Sequence, residues 1–161
     1  MGRSKTGDTM IEGYGAIRKL PDAACQPDKN LEYRIVYRIS SPPEKEGDPT
    51  PGLSHIALTI NLFEWAGVPG EHLHLAGVVH SGATPATLTL EAYRRDFGRV
   101  NPDADLIHQL TQNGVALYVC GQSVLKHGYR RDDVNPEVTY ALSALSVLPA
   151  YQMKGYALMH Y

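Results

Sequence analysis

Extended apolar runs alternate with helices along this chain, and three of the helix starts carry the same mark: Thr50-Pro51, Thr84-Pro85 and Asn101-Pro102. Proline is tolerated at the first helical position, where its missing N–H would have no partner anyway, and the residue before it can cap. Strands are read over residues 32–40, 72–79, 115–119, 138–142 and 156–160. The second and third are almost continuously apolar, as strands covered on both faces are. Strand–helix alternation of this kind implies an α/β fold with a mainly parallel sheet of about five strands and right-handed crossovers.

The helices can be placed from periodicity. Leu53, Ile56, Ile60 and Phe63 recur at helical spacing after Thr50-Pro51, whose hydroxyl is expected to cap, and Gly67 supplies a stop. A second helix is expected from Thr84-Pro85 to about Phe97. A third follows Asn101-Pro102, with Asp103 and Asp105 in its first turn and Gly114 past its end. A short helix over 122–127 and a last one ending near Lys154 complete the set. Pro149 falls within that last helix, where a mid-helix proline costs about 3 kcal/mol. Either the helix is kinked there, or it begins late with Ser146 as cap and Pro149 in its first turn.

Residues 1–30, rich in Gly, Pro and Asp, read as an extended arm that adds little to the core, and 31–161 as one α/β domain. The polar stretch 41–50 reads as a loop and candidate lid. With 161 residues, a single domain buries about 70% of its unfolded surface. A net charge of −2 gives no basis for nucleic-acid binding, which needs clustered cations; Lys126, His127, Arg130 and Arg131 come nearest. No apolar run is long enough to span a bilayer, and the N-terminus lacks the apolar segment of a signal peptide. The expected location is cytoplasmic if the chain is complete, periplasmic if it is the mature part of an exported precursor.

The chemistry concentrates in Val115-Ala-Leu-Tyr-Val-Cys120-Gly-Gln122. A cysteine closing a parallel strand faces the start of the next helix, where unpaired backbone N–H groups favour a thiolate over a thiol. The alternative is a small buried hydrophobe. His80, after the second strand, arrives at the same edge and can act as base or cationic partner for Cys120. Ser81 and Gly82 form the turn that follows and are candidate ligand-binding residues, as are Gly121 and Gln122. Tyr118 reads as sheet packing. A phosphatase-like loop would place arginine at the position of Lys126, and the point charge there argues against that chemistry. Cys25 and Cys120 form no CxxC pair, and disulfide exchange would require Cys25 to reach Cys120. His72 and His74 share a strand face at the other end, with no carboxylate converging on them by spacing. Neither a metal nor a cofactor is expected.

Over residues 31–161 the chain resembles the DsrE/DsrF-like (YchN-like) family. The resemblance rests on the strand–helix order and on Leu62-Phe-Glu-Trp-Ala-Gly-Val-Pro-Gly70, His80-Ser-Gly-Ala-Thr-Pro85 and Gly114-Val-Ala-Leu-Tyr-Val-Cys-Gly-Gln122. It extends to Ala141-Leu-Ser-Ala-Leu-Ser146 and Gln152-Met-Lys-Gly-Tyr-Ala-Leu158. It implies a flavodoxin-like three-layer α/β sandwich that assembles into homo-oligomers, trimers or hexamers. In sulfur-relay members a cysteine after this strand carries a persulfide, and it matches Cys120. The implied role is sulfur carriage or transfer, with a donor or acceptor protein or a small sulfur compound as partner. The other role open to the chain is that of a non-catalytic oligomeric module binding a small ligand in the same crevice.

Overall fold

The structure is a computed structural model and describes residues 11–161; the first ten residues of the expected arm lie outside the described residues. Among the described residues five strands form one all-parallel sheet: β1 (Tyr33–Ile39), β2 (Leu73–Val79), β3 (Ala116–Cys120), β4 (Thr139–Ala141) and β5 (Ala157–His160). Their order is β4-β3-β2-β1-β5. The α-helices that accompany them in the described residues are α1 (Pro51–Trp65), α2 (Leu90–Phe97), α3 (Ala104–Gln112), α4 (Gly121–Lys126) and α5 (Ala144–Gln152). The result is the expected flavodoxin-like α/β sandwich.

Right-handed crossovers explain which helix lies where. From β1 to β3 the chain advances in one direction, so α1 and α3 fall on the same face. From β4 to β5 it runs back past three strands, and the same handedness puts α5 on the other face. Side-chain alternation then sorts the core. Tyr37, Ile39, Leu75, Val79, Leu117 and Val119 pack with Leu53, Ile56, Leu106 and Leu110 beneath α1 and α3. Val78, Tyr118 and Cys120 pack with Ala144, Val147 and Tyr151 beneath α5. Tyr118 is indeed a packing residue, its hydroxyl 2.8 Å from that of Tyr151.

Four details differ from the sequence reading. Thr50 precedes α1, but its hydroxyl donates to Asp103 Oδ2 at 2.8 Å instead of capping its own helix. Thr84-Pro85 opens no α-helix: Ser81–Thr87 is a 3-10 helix, and α2 begins at Leu90, with Thr89 Oγ1 accepting from the Ala92 N–H. The threonine hydroxyls of Thr84 and Thr87 donate to carbonyls three residues back and tighten that turn. In the last helix the cap is Ser143, three residues earlier than Ser146, so Pro149 lies in the second turn and offers no N–H to the Leu145 carbonyl.

The fourth concerns the arm. Ile11 is 0% exposed and belongs to the main core. Its N–H donates to Asn61 Oδ1, and Asn61 Nδ2 donates to the carbonyls of Tyr14 and Gly15. Gln109 of α3 brackets Glu12 through both its backbone groups. Residues 11–15 are therefore clamped between α1 and α3, and Gly15 lies so close to Leu58 that a Cβ would fall 2.4 Å from its backbone nitrogen. The following stretch to residue 32 is mostly exposed turn.

Candidate functional site

In a parallel sheet every strand delivers its last residue to one edge. Val79 pairs in register with Val119, which brings His80 alongside Cys120, and Cys120 pairs with Ala141, which brings Ser143 to the same place. Cys120 is 4% exposed and is both the last residue of β3 and the residue before α4. Its side chain points to the α5 face, as alternation from Val119 requires.

The sulfur is enclosed by apolar groups on one side and by donors on the other. Burial raises its pKa, but the backbone N–H groups of Ala144 and Ser123 and the hydroxyls of Ser123 and Ser143 oppose burial and prevail, so the thiol lies below its ordinary value. The Ser143 hydroxyl is 3.9 Å from the sulfur. Two helix starts thus converge on one atom. The backbone N–H groups that favour the thiolate belong to Ser123 and Ala144. Gln122 braces the β4–α5 turn, its Nε2 donating to the Leu142 carbonyl at 3.2 Å. Gly121 is a contact glycine: a Cβ there would lie 2.7 Å from the Ala141 carbonyl oxygen and 2.9 Å from the Tyr140 ring.

His80 reaches the edge but points elsewhere. Its Nε2 accepts from Arg38 Nε at 3.0 Å, which leaves Nδ1 protonated and donating to Ser81 Oγ at 2.9 Å. Burial and then the Arg38 charge hold its pKa below the ordinary histidine value. Its ring nitrogens bond Arg38 and Ser81, and neither bonds the Cys120 sulfur. Its link to the thiol runs through Ser81, whose N–H donates to Ser123 Oγ at 3.1 Å. Ser81 sits in the left-handed region at φ 51, a strained position for a non-glycine residue. Its carbonyl is held by His127 Nε2 and by the Thr84 hydroxyl, both at 2.8 Å. Gly82 lies against Pro42, where a Cβ would fall 2.9 Å from the ring.

Beside Ser123 an open pocket of about 380 Å³ is lined by Ser81, Ser123, Lys126 and His127. Cys25 is exposed and lies shortly before Asp28 and Lys29, which bond Tyr33 and His72 at the opposite end of the sheet. A seven-residue strand spans roughly 23 Å, far beyond the separation a disulfide allows. His72 and His74 do meet a carboxylate, Glu32, which spacing did not reveal. Hydrogen bonding to His74 is the largest influence holding Glu32 below the usual carboxylate range. Among the described residues, no group of three or more His, Cys, Asp or Glu side chains is placed to hold a metal ion.

Sequence reading missed Ser123, Ser143 and Arg38. Ser143 carried a signal, since a serine between a strand and a helical run is a cap candidate; Ser123 and Arg38 carried none. The geometry predicts that Ser123→Ala and Ser143→Ala each raise the alkylation pKa of Cys120, whereas His80→Ala changes it less than either. Alkylation rate against pH checks this, and a larger effect for His80→Ala would show that the ring acts on the thiol directly.

Fold and site together define a flavodoxin-like α/β sandwich with a thiol held at the carboxyl edge of its sheet between two helix starts. The DsrE/DsrF-like family model matches residues 34–161, and the chain belongs to that family. Among solved structures the fold is similar to a protein of unknown function, MTH1491, from Methanobacterium thermoautotrophicum, with a TM-score of 0.55 and 19% identity over 80% of this chain and 99% of that one. No curated protein matches the sequence. Among the described residues no helix is long and apolar enough to cross a membrane.

Proposed function

We propose that Cys120 is a sulfur-carrier thiol. What supports this reading is the place of Cys120 at the end of β3 and the start of α4, its sulfur 3.9 Å from the Ser143 hydroxyl that caps α5, with the Ser123 and Ala144 N–H groups favouring the thiolate. Membership in a family associated with sulfur relay supports it. In the reaction the Cys120 thiolate attacks the outer sulfur of a donor persulfide, R–S–SH. A bond forms between the two sulfurs as the donor's S–S bond breaks, giving Cys120–S–SH and R–S⁻ with no net oxidation. Lys126 and His127 line the pocket next to Ser123 and suit an anionic donor. His80 and Ser81 position Ser123, while Gly121 and Gln122 fix the two helix starts; Gly82 takes no part.

Polysulfide treatment is expected to add one sulfur at Cys120, lost on reduction and absent in Cys120→Ser, as read by mass of the peptide containing residue 120. A Cys120 that stays unmodified while exposed Cys25 reacts would leave the second reading, a non-catalytic module that binds a small ligand at this edge. The low exposure of Cys120 is what favours that reading.

We further propose that the chain is a homo-oligomer assembled through α5 and β5. Leu145 is 85% and Met153 88% exposed, and Leu142 just before α5 and Leu158 and Met159 of β5 are exposed as well. Monomers seldom leave large apolar side chains of one helix and its neighbouring strand so fully uncovered. Light scattering is expected to give a multiple of the chain mass, reduced to the monomer by Leu145→Glu with Met153→Glu. A monomeric wild-type protein at micromolar concentration would remove this proposal.

A further inference from the structure

A second cavity opens at the same edge of the sheet, on the far side of the Ser81–Thr87 turn from Cys120. It is about 300 Å³ and lies between the loop after β1, that turn, and α2. Pro42 and Pro43 form one wall; Tyr93 and Phe97, with ring centroids 4.5 Å apart, form another. Asp103 and Thr50 lie in its floor, and Glu46 at its side. Prolines and aromatic rings offer an apolar, rigid lining, the usual composition of a small-molecule pocket.

The charge in this cavity is unbalanced. Glu46 is paired with Arg99. Asp103, 2% exposed, accepts the Thr50 N–H at 2.7 Å and the Thr50 hydroxyl at 2.8 Å, and forms no ion pair among the described residues. A carboxylate has about four acceptor positions, and Thr50 occupies two. Burying an anion without a counter-ion is costly, and the cost is relieved by any cation that can reach it. No lysine, arginine or histidine lines the cavity among the described residues.

We propose that this cavity binds a small protonated amine with an apolar body, its ammonium held by Asp103 and its body by the aromatic and proline walls. The ring faces of Tyr93 and Phe97 favour a cation electrostatically as well. Selection would be by charge: an anion of the same shape meets Asp103, and a neutral analogue leaves it unbalanced. The site shares no residue with the sulfur chemistry, so it stands or falls apart from Cys120.

The test is an NMR titration of the full-length ¹⁵N-labelled chain with benzylammonium, benzyl alcohol and benzoate. Benzylammonium is expected to shift the amides of Gly47, Gly82, Ala83 and Ala86 saturably, with the alcohol about tenfold weaker or more and benzoate without effect. Asp103→Asn keeps an acceptor for the Thr50 N–H and should lower amine affinity about tenfold while leaving the alcohol unchanged. Cys120→Ser should leave both unchanged. Benzoate or benzyl alcohol binding as tightly as the amine, amine shifts located elsewhere, or no saturable shift at millimolar amine would overturn the proposal. The three-probe comparison on the wild-type chain decides the matter even if Asp103→Asn does not fold.

Discussion

Ile11→Ala is expected to destabilise the protein by about 3 kcal/mol, the loss that follows when a fully buried aliphatic side chain leaves a cavity that closes only partly. Ile11 is fully enclosed between α1 and α3, and its backbone is clamped to Asn61, so relaxation of the neighbours has little scope. In a chain of this size the melting temperature should fall by roughly 10 °C. Leu20→Ala, at an exposed position in the same segment, should change it little. Chemical denaturation checks both. A loss for Ile11→Ala no greater than that for Leu20→Ala would return residues 11–15 to the status of a loose arm.

The second large effect is a pH dependence that belongs to Asp103. Burial pushes its pKa up to about 6, against the pull of the Thr50 N–H and hydroxyl. In the unfolded chain an aspartate releases its proton near 4. Between those values the folded state holds more protons than the unfolded one, so stability falls as the pH rises from about 4 to about 6. A shift of this size corresponds to a loss of about 3 kcal/mol, fully present above pH 6 and absent below pH 4. In Asp103→Asn, which has nothing to ionise, this slope should vanish while the contributions of other carboxylates remain. An identical pH profile in the variant would place the titration elsewhere.

Both effects involve contacts that the sequence did not disclose, and the reason is the same. Periodicity and proline position report on one element at a time. They were enough for the five strands, for α1 and α3, and for the arrival of His80 and Cys120 at one edge, because a parallel sheet puts all its strand ends together. They were not enough for Thr50 and Asp103, each of which reads as the start of its own helix, although the carboxylate of one serves the other 53 residues away. Ile11 lies in a short stretch broken by Gly13 and Gly15 and has no period to betray it. The donors to Cys120 come from α4, adjacent in sequence, and from Ser143 and Ala144, which follow only after β4. His80 shows the converse failure: its position was legible, but the direction of its ring was set by Arg38 on a neighbouring strand.

The placement of β5 beside β1 bears on how this protein is made. Its partners are the first strand and the last, with Ile35 opposite Ala157 about 120 residues later. During synthesis β1, β2 and β3 can pair in order while the outer edge of β1 stays open, a row of unsatisfied N–H and C=O groups available to any other strand. The carbonyl of Arg38 and the N–H of Ser40, which Tyr161 finally occupies, are part of that waiting edge. Nascent chains that stall before residue 157 should therefore be the ones that aggregate or recruit chaperones, and the emergence of residues 157–161 should be the step that closes this edge.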